Sequence, residues 1–203
     1  ESLIHMIEER GAEALLCSSI KTIPPADWSL LDQSLEVLSG YDGLIFTSAN
    51  GVHFFSQRLK EKNKDIRELK GVRLYAIGPK TEQAVLNLNI KVDVVPETYV
   101  AESLIECIGK ENIEDKNFLL PCASVTREIL PNTLREIGAK VDVVPAYQTI
   151  QPEQSETHLL KQLNEGTIDV ITFTSSSTVT NFLDRLKKEH HKKLNKTIIA
   201  CIG

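Results

Sequence analysis

The sequence predicts an α/β fold, two doubly wound parallel-sheet domains from an internal duplication, and three observations carry that expectation. Short apolar runs alternate with segments of helical spacing along the chain. The runs are rich in Val, Ile and Leu without strict alternation, as strands buried on both faces of a parallel sheet read. Finally, the chain repeats itself. "FTSANG" from Phe46 and "FTSSST" from Phe173 stand 127 residues apart, and the same offset relates Gly11 to Gly138, Asp42 to Asp169, Val52 to Val179, Phe55 to Phe182 and Leu59 to Leu186. One register held over so many positions marks two copies of one unit.

Taken in order, "GLIFT", "VRLYAIG", "VDVVP", "NFLLP", "KVDVVP", "DVITFT" and "TIIACIG" read as strands, each bounded by Gly, Pro or polar residues. A helix carrying Val52, Phe55 and Leu59 follows the first corner. Another carries Ile129, Leu134 and Ile137 and stops at Gly138, a residue type suited to helix ends. "YAIG" ends at Gly78 and "ACIG" at Gly203, an offset of 125, so the intervening loops differ by two residues. The second copy opens with the stretch Asn117 to Leu134, whose counterpart would precede Glu1, and it stops at Gly203 where the first copy continues. The sequence therefore reads as clipped at both ends, by about a strand plus a helix each.

"SIKTIPP" and "AYQTIQPE" are repeat-equivalent, extended and proline-bearing. Two crossings of one boundary there give an inserted, complete domain over 24–146 and an outer, discontinuous domain from 1–22 and 149–203. A two-stranded linker joins them, with a mobile hinge at both crossings and a ligand cleft between the domains.

Composition excludes several classes. With 41% hydrophobic and 25% charged residues the chain is of ordinary globular type, and a net charge of −5 without a basic patch argues against nucleic acid. No apolar run approaches the ~20 residues of a membrane span, and no signal peptide opens the chain. Cys17, Cys107, Cys122 and Cys201 form no C-x-x-C pair and read as buried thiols in a reducing, cytoplasmic compartment. His190 and His191 lie in "KKEHHKKL", a solvated cationic stretch without accompanying carboxylates, so no metal is expected. The glycosylation pattern at Asn195 means little without a secretory signal.

In doubly wound sheets, ligands bind outside the carboxyl ends of the strands. The hydroxyl-rich corners sit at such ends: Thr47, Ser48 and Asn50 in the first, Thr174, Ser175 and Ser176 in the second. Their side chains suit helix capping, and the helix starts suit an anion. "AIGPKT" is a third corner, with Gly78 for the turn, Pro79 for the helix start and Thr81 as a hydroxyl. No phosphate-binding glycine loop, nucleophile elbow or zinc motif is present. An enzyme built this way would hold a reactive substrate in one shape and assist a leaving group. Tyr147, at a domain crossing, reads either as a half-buried hinge aromatic or as a proton donor.

"GLIFTSANGV", "YAIGPKT", "LLPCASVTREILPNTL", "AYQTI" and "ITFTSSS…V" together resemble, in order, the signature stretches of the uroporphyrinogen-III synthase family. The "PC" then "REILP" segment is similar to the animal form. The resemblance covers nearly the whole chain; the first strand and the final segments, with the threonine expected after "ACIG", are missing from it. It implies two α/β domains, a two-stranded linker and an active site in the cleft. It implies a cofactor-free cyclisation of hydroxymethylbilane, a linear tetrapyrrole with eight carboxylates. The terminal hydroxyl leaves as water, the last ring inverts through a spiro intermediate, and the macrocycle closes. By the same resemblance Tyr147 assists the departing hydroxyl, Ser48, Ser175 and Thr81 match family positions, and Arg127 pairs with a substrate carboxylate. A cytoplasmic monomer, in transient contact with the preceding bilane-forming deaminase, completes the expectation. A non-enzymatic two-domain receptor of the periplasmic-binding type is the alternative, and a nucleotide- or sugar-binding transferase a third reading.

Overall fold

The computed structural model describes residues 2–17, 20–125, 128–150, 155–186 and 188–201. The chain divides into two compact units, Glu1–Lys21 with Ile150–Gly203, and Thr22–Thr149. Helix α1 (Ser2–Glu8) opens the first of these.

The second unit holds a five-stranded sheet. Its strands are β1 (Lys21–Ile23), β2 (Gly43–Phe46), β3 (Arg73–Ala76), β4 (Asn117–Ala123) and β5 (Lys140–Ile150), in the spatial order β1-β5-β4-β2-β3. β3 and β4 both run parallel to β2, and β5 runs parallel to β4. The connections carry α2 (Ser29–Glu36), α3 (Ala49–Glu61), α4 (Pro79–Leu86), α5 (Ala101–Ile108) and α6 (Ile129–Glu136).

Strand side chains alternate between faces, and here both faces are apolar. Leu44, Phe46, Leu74 and Leu119 pack with Leu31 and Leu35 of α2, Val52, Phe55 and Leu59 of α3, and Val85 of α4. Ile45, Tyr75, Phe118 and Leu120 pack with Leu104 and Ile108 of α5 and Leu130 and Leu134 of α6. That is the doubly wound arrangement, and each such side chain contributes roughly 1.5–3 kcal/mol on full burial. Gly43 leaves room for the second face: a Cβ there would lie 2.6 Å from the Phe118 ring and 2.8 Å from Tyr75. On the first face, Arg58 of α3 donates to both carboxylate oxygens of Asp32 on α2, each at 2.7 Å, and stacks 4.9 Å from the Trp28 ring centroid. The guanidinium holds the Asp32 carboxyl below its usual range.

The first unit carries α7 (Ser155–Glu165), β6 (Val170–Phe173), α8 (Ser176–Arg185) and β7 (Ile198–Cys201), with β6 parallel to β7. Two strand pairs at repeat-equivalent positions correspond. The β2–β3 ladder starts at Gly43↔Arg73, and the β6–β7 ladder starts at the repeat-equivalent pair Val170↔Ile198. Phe46 meets Phe55 edge-to-face at 5.4 Å; Phe173 meets Phe182 edge-to-face at 5.3 Å. Leu159, Leu163 and Leu186 complete that small core.

Several sequence expectations are corrected. The first "VDVVP", Val92–Pro96, makes no strand; it forms a single parallel bridge, Tyr75↔Val94. Asp93 Oδ2 accepts the Leu74 N–H at 2.7 Å, so a side chain takes a donor that a ladder would use, and Pro96 has no N–H to continue one. Only Cys122 is buried; Cys17 is half-buried, and Cys107 and Cys201 are exposed, the latter on a strand whose described residues all face solvent. Ile129 is exposed, and Leu130 turns inward in its place. His191 Nε2 lies 2.6 Å from the Leu186 carbonyl and so satisfies a backbone group at the end of α8.

Candidate active site

The carboxyl ends of β2, β3, β4 and β5 bring several of the sequence candidates together within the second unit. The chain leaves β2 at Phe46 and enters α3 through Thr47 and Ser48. Ser48 is extended, with φ −156° and ψ 151°, and its Oγ accepts the Gly51 N–H at 3.0 Å. Gly51 lets the first turn of α3 press closely on β4: a Cβ there would lie 3.0 Å from the Pro121 carbonyl oxygen, a tight contact. Ser48 is thus a helix cap, as its residue type favours. It is more than that, because its Oγ also lies 3.1 Å from Tyr147 Oη.

Tyr147 reaches that position through an irregularity in β5. Pairing runs Cys122↔Pro145 and then Ala123↔Tyr147, so one extra residue, Ala146, enters β5. Before it, Val144 faces the first core and Val141 and Val143 the second. Strict alternation would send Tyr147 to the second face. The bulge returns it to the first, as such bulges re-aim side chains. There its ring stacks on Phe54, with centroids 5.8 Å apart and planes 14° from parallel. The residue is 9% exposed. Beside it Ser124, the first residue past β4, donates to the Tyr147 carbonyl from both its N–H (2.8 Å) and its Oγ (3.2 Å).

The third corner follows β3. Gly78 has φ +90°, a conformation that suits glycine, and Pro79 starts α4. The Ile77 N–H donates to the Phe46 carbonyl, which ties this corner to the first. Thr81 is 4% exposed, so its side chain packs within the unit. The exposed positions at this helix start are Pro79 and Lys80. Thr47 is half-buried and Asn50 exposed.

In the first unit, Ser175 repeats the geometry of Ser48, with φ −165° and ψ 159°, and accepts the Thr178 N–H at 3.3 Å. Thr178 Oγ1 in turn accepts the Ser175 N–H at 3.2 Å, completing a capping box. Thr174, Ser175 and Ser176 are exposed. Arg127 lies outside the described residues.

Sequence reasoning selected Ser48 and Tyr147 but not their contact, and it passed over Ser124 and Lys80. A lysine beside the "GP" helix start was a readable signal. Ser124 gave none, because its role depends on the bulge in the neighbouring strand.

Comparison with known proteins agrees across three routes. The profile of the family described as uroporphyrinogen-III synthase HemD matches residues 1–203. A putative uroporphyrinogen-III synthase of Methanothermobacter thermautotrophicus is 32% identical over 205 residues, covering 98% of this chain and 80% of the relative. The uroporphyrinogen-III synthase of Synechococcus elongatus is 30% identical over 198 residues, covering 95% and 74%. Among solved structures, a mutant uroporphyrinogen III synthase of Thermus thermophilus superposes with a TM-score of 0.62 at 20% identity, covering 100% of this chain and 81% of that one.

Proposed function

This chain belongs to the uroporphyrinogen-III synthase family, and from that premise we propose that it cyclises hydroxymethylbilane to uroporphyrinogen III without a cofactor, using Tyr147 to assist departure of the terminal hydroxyl. The observation that carries the residue-level reading is the Ser48 Oγ to Tyr147 Oη hydrogen bond.

The geometry of that pair supports this chemistry. Ser48 Oγ already accepts from Gly51 N–H, which leaves its own proton to donate. With that proton directed to Tyr147 Oη, the phenolic proton is free to meet a leaving hydroxyl, which departs as water. Proton donation from a positioned side chain is ordinary general-acid assistance. The phenol sits on a strand and a helix start, stacked on Phe54, so little motion remains to be frozen out at the moment of reaction.

The remaining task is selectivity. Without the enzyme the bilane closes with no ring inversion and gives isomer I. About 1.4 kcal/mol of differential stabilisation changes a rate tenfold, so holding the last ring in the spiro-forming shape redirects the outcome. In this reading the starts of α3 and α4 attract substrate carboxylates, helped by Lys80, while Thr47 and Asn50 supply hydroxyl and amide contacts, and Thr174, Ser175 and Ser176 offer hydroxyl groups within the first unit. Local helix starts outweigh the net charge of −5, which describes the whole chain and not its corners. Thr81 braces its corner from within, and Arg127 pairs with a carboxylate. A monomer in the cytoplasm, receiving the bilane through transient contact with the deaminase that makes it, completes the proposal.

The test is a coupled assay in which hydroxymethylbilane is generated in place and the oxidised products are separated by chromatography. A shift from isomer I to isomer III establishes the activity. Isomer I alone, from folded protein, overturns it.

A further inference from the structure

We propose that Ser124 is a positioning residue for Tyr147: it locks the β5 bulge that turns the phenol toward Ser48. The inference rests on the reading of Tyr147 as the group that assists the leaving hydroxyl. Three facts carry it. β4 and β5 pair in register as far as Cys122↔Pro145 and resume at Ala123↔Tyr147, with Ala146 as the extra residue. Bulges are rare between parallel strands, and each disrupts its ladder, so this one needs compensation from elsewhere. Ser124 supplies it, with two donors converging on the Tyr147 carbonyl, its N–H at 2.8 Å and its Oγ at 3.2 Å.

The consequence lies on the other side of the tyrosine. A β-strand residue whose carbonyl is fixed has its side-chain direction fixed with it. A slip of one residue would restore alternation and carry the phenol to the opposite face, away from Phe54 and Ser48. The Ser124 side chain is exposed and its hydroxyl bonds to the Tyr147 carbonyl, so its contribution to packing is small beside its contribution to this one carbonyl. The backbone N–H bond survives any side-chain change. Removing the hydroxyl therefore loosens the bulge without unfolding the sheet.

The experiment combines a spectroscopic and a kinetic readout. The full chain is labelled with 3-fluorotyrosine, whose four positions give separate fluorine resonances, and Tyr147→Phe assigns one of them. Ser124→Ala is expected to shift or broaden the Tyr147 resonance and leave those of Tyr41 and Tyr75 in place. It should lower kcat for isomer III by roughly three- to ten-fold, as loss of one hydrogen bond does, with KM nearly unchanged. Ser124→Thr, which keeps the hydroxyl, should restore both. In a Tyr147→Phe background, Ser124→Ala should have no further effect on kcat. An unmoved Tyr147 resonance in Ser124→Ala overturns the positioning role. A moved resonance together with wild-type turnover in Tyr147→Phe upholds the clamp but removes its catalytic consequence, and with it the assignment of Tyr147.

Discussion

Ser48 Oγ and Tyr147 Oη are hydrogen-bonded at 3.1 Å, although 99 positions separate the residues in the chain. The bond joins a helix cap to a bulged strand, so each residue has a structural and a chemical duty. The two separate on mutation. Ser48→Ala removes the cap of α3 and should lower stability by about 0.5–2 kcal/mol. Tyr147→Phe keeps the ring stacked on Phe54 and should leave the unfolding midpoint nearly unchanged while slowing turnover. If the hydroxyls act as one chain, the double variant is no slower than the slower single one. Steady-state kcat for isomer III, measured beside urea unfolding for the four proteins, checks this; fully multiplicative losses would show two independent roles.

Gly43→Ala tests the packing behind the sheet. The new Cβ would sit 2.6 Å from the Phe118 ring and 2.8 Å from Tyr75, both buried. Neither ring has space to retreat, so the strands must shift. Overpacking of this kind costs about 1–3 kcal/mol. The urea midpoint should fall with the slope unchanged. An unshifted midpoint would mean that the core opens more freely than its geometry indicates.

Tyr41 predicts a loss of stability in alkali. Burial pushes its phenol up to about 12, and the bond it donates to Asp142 Oδ2 at 2.6 Å acts in the same direction. The protonated form is the one the fold favours. Its contribution is therefore complete below the unfolded value near 10 and is lost as pH rises toward about 12. Stability should fall across that window, and Tyr41→Phe should flatten the fall. Burial raises Tyr75 as well, so part of the slope will remain. Equilibrium unfolding between pH 9 and 12 in both proteins decides it.

The repeat was the most legible feature, because hydrophobic and capping residues recur wherever the same geometry recurs. Ser48 and Ser175 share an offset in sequence and nearly share φ, ψ and cap partner in space. The orientation of Tyr147 was not legible. It depends on one extra residue in β5, and nothing in "VVPAYQT" distinguishes a bulged strand from a regular one. Thr81 was legible as a residue of a helix start but not as a buried one, since burial is set by what packs over the turn. The hexapeptide "KVDVVP" occurs twice and takes two conformations. Residues 140–145 lie in β5, where Asn117–Cys122 of β4 supply a partner for each of them. Residues 91–96 lie beyond β3 at the end of the sheet order and make one bridge. Strand formation there belongs to the tertiary setting rather than to the residues.

That contrast yields a prediction at Asp93. Its carboxylate accepts the Leu74 N–H at 2.7 Å, while the Asp93 N–H donates back to the Leu74 carbonyl at 2.8 Å. The side chain therefore stands in for a missing ladder partner on the outer edge of β3. Asp142, at the same place in the other hexapeptide, instead receives the Tyr41 hydroxyl. Asp93→Ala should accelerate amide exchange at Leu74 and at Ala76, whose N–H donates to the Val94 carbonyl at 3.1 Å, and leave Leu119 in the central strand protected. The stability loss should be about 0.5–1.5 kcal/mol, the net value of one hydrogen bond. Asp142→Ala should leave Leu74 exchange unchanged and act on the Tyr41 contact alone. Unaltered exchange at Leu74 in Asp93→Ala would mean that water serves this edge as well as the carboxylate does, and that the bridge at Val94 holds without it.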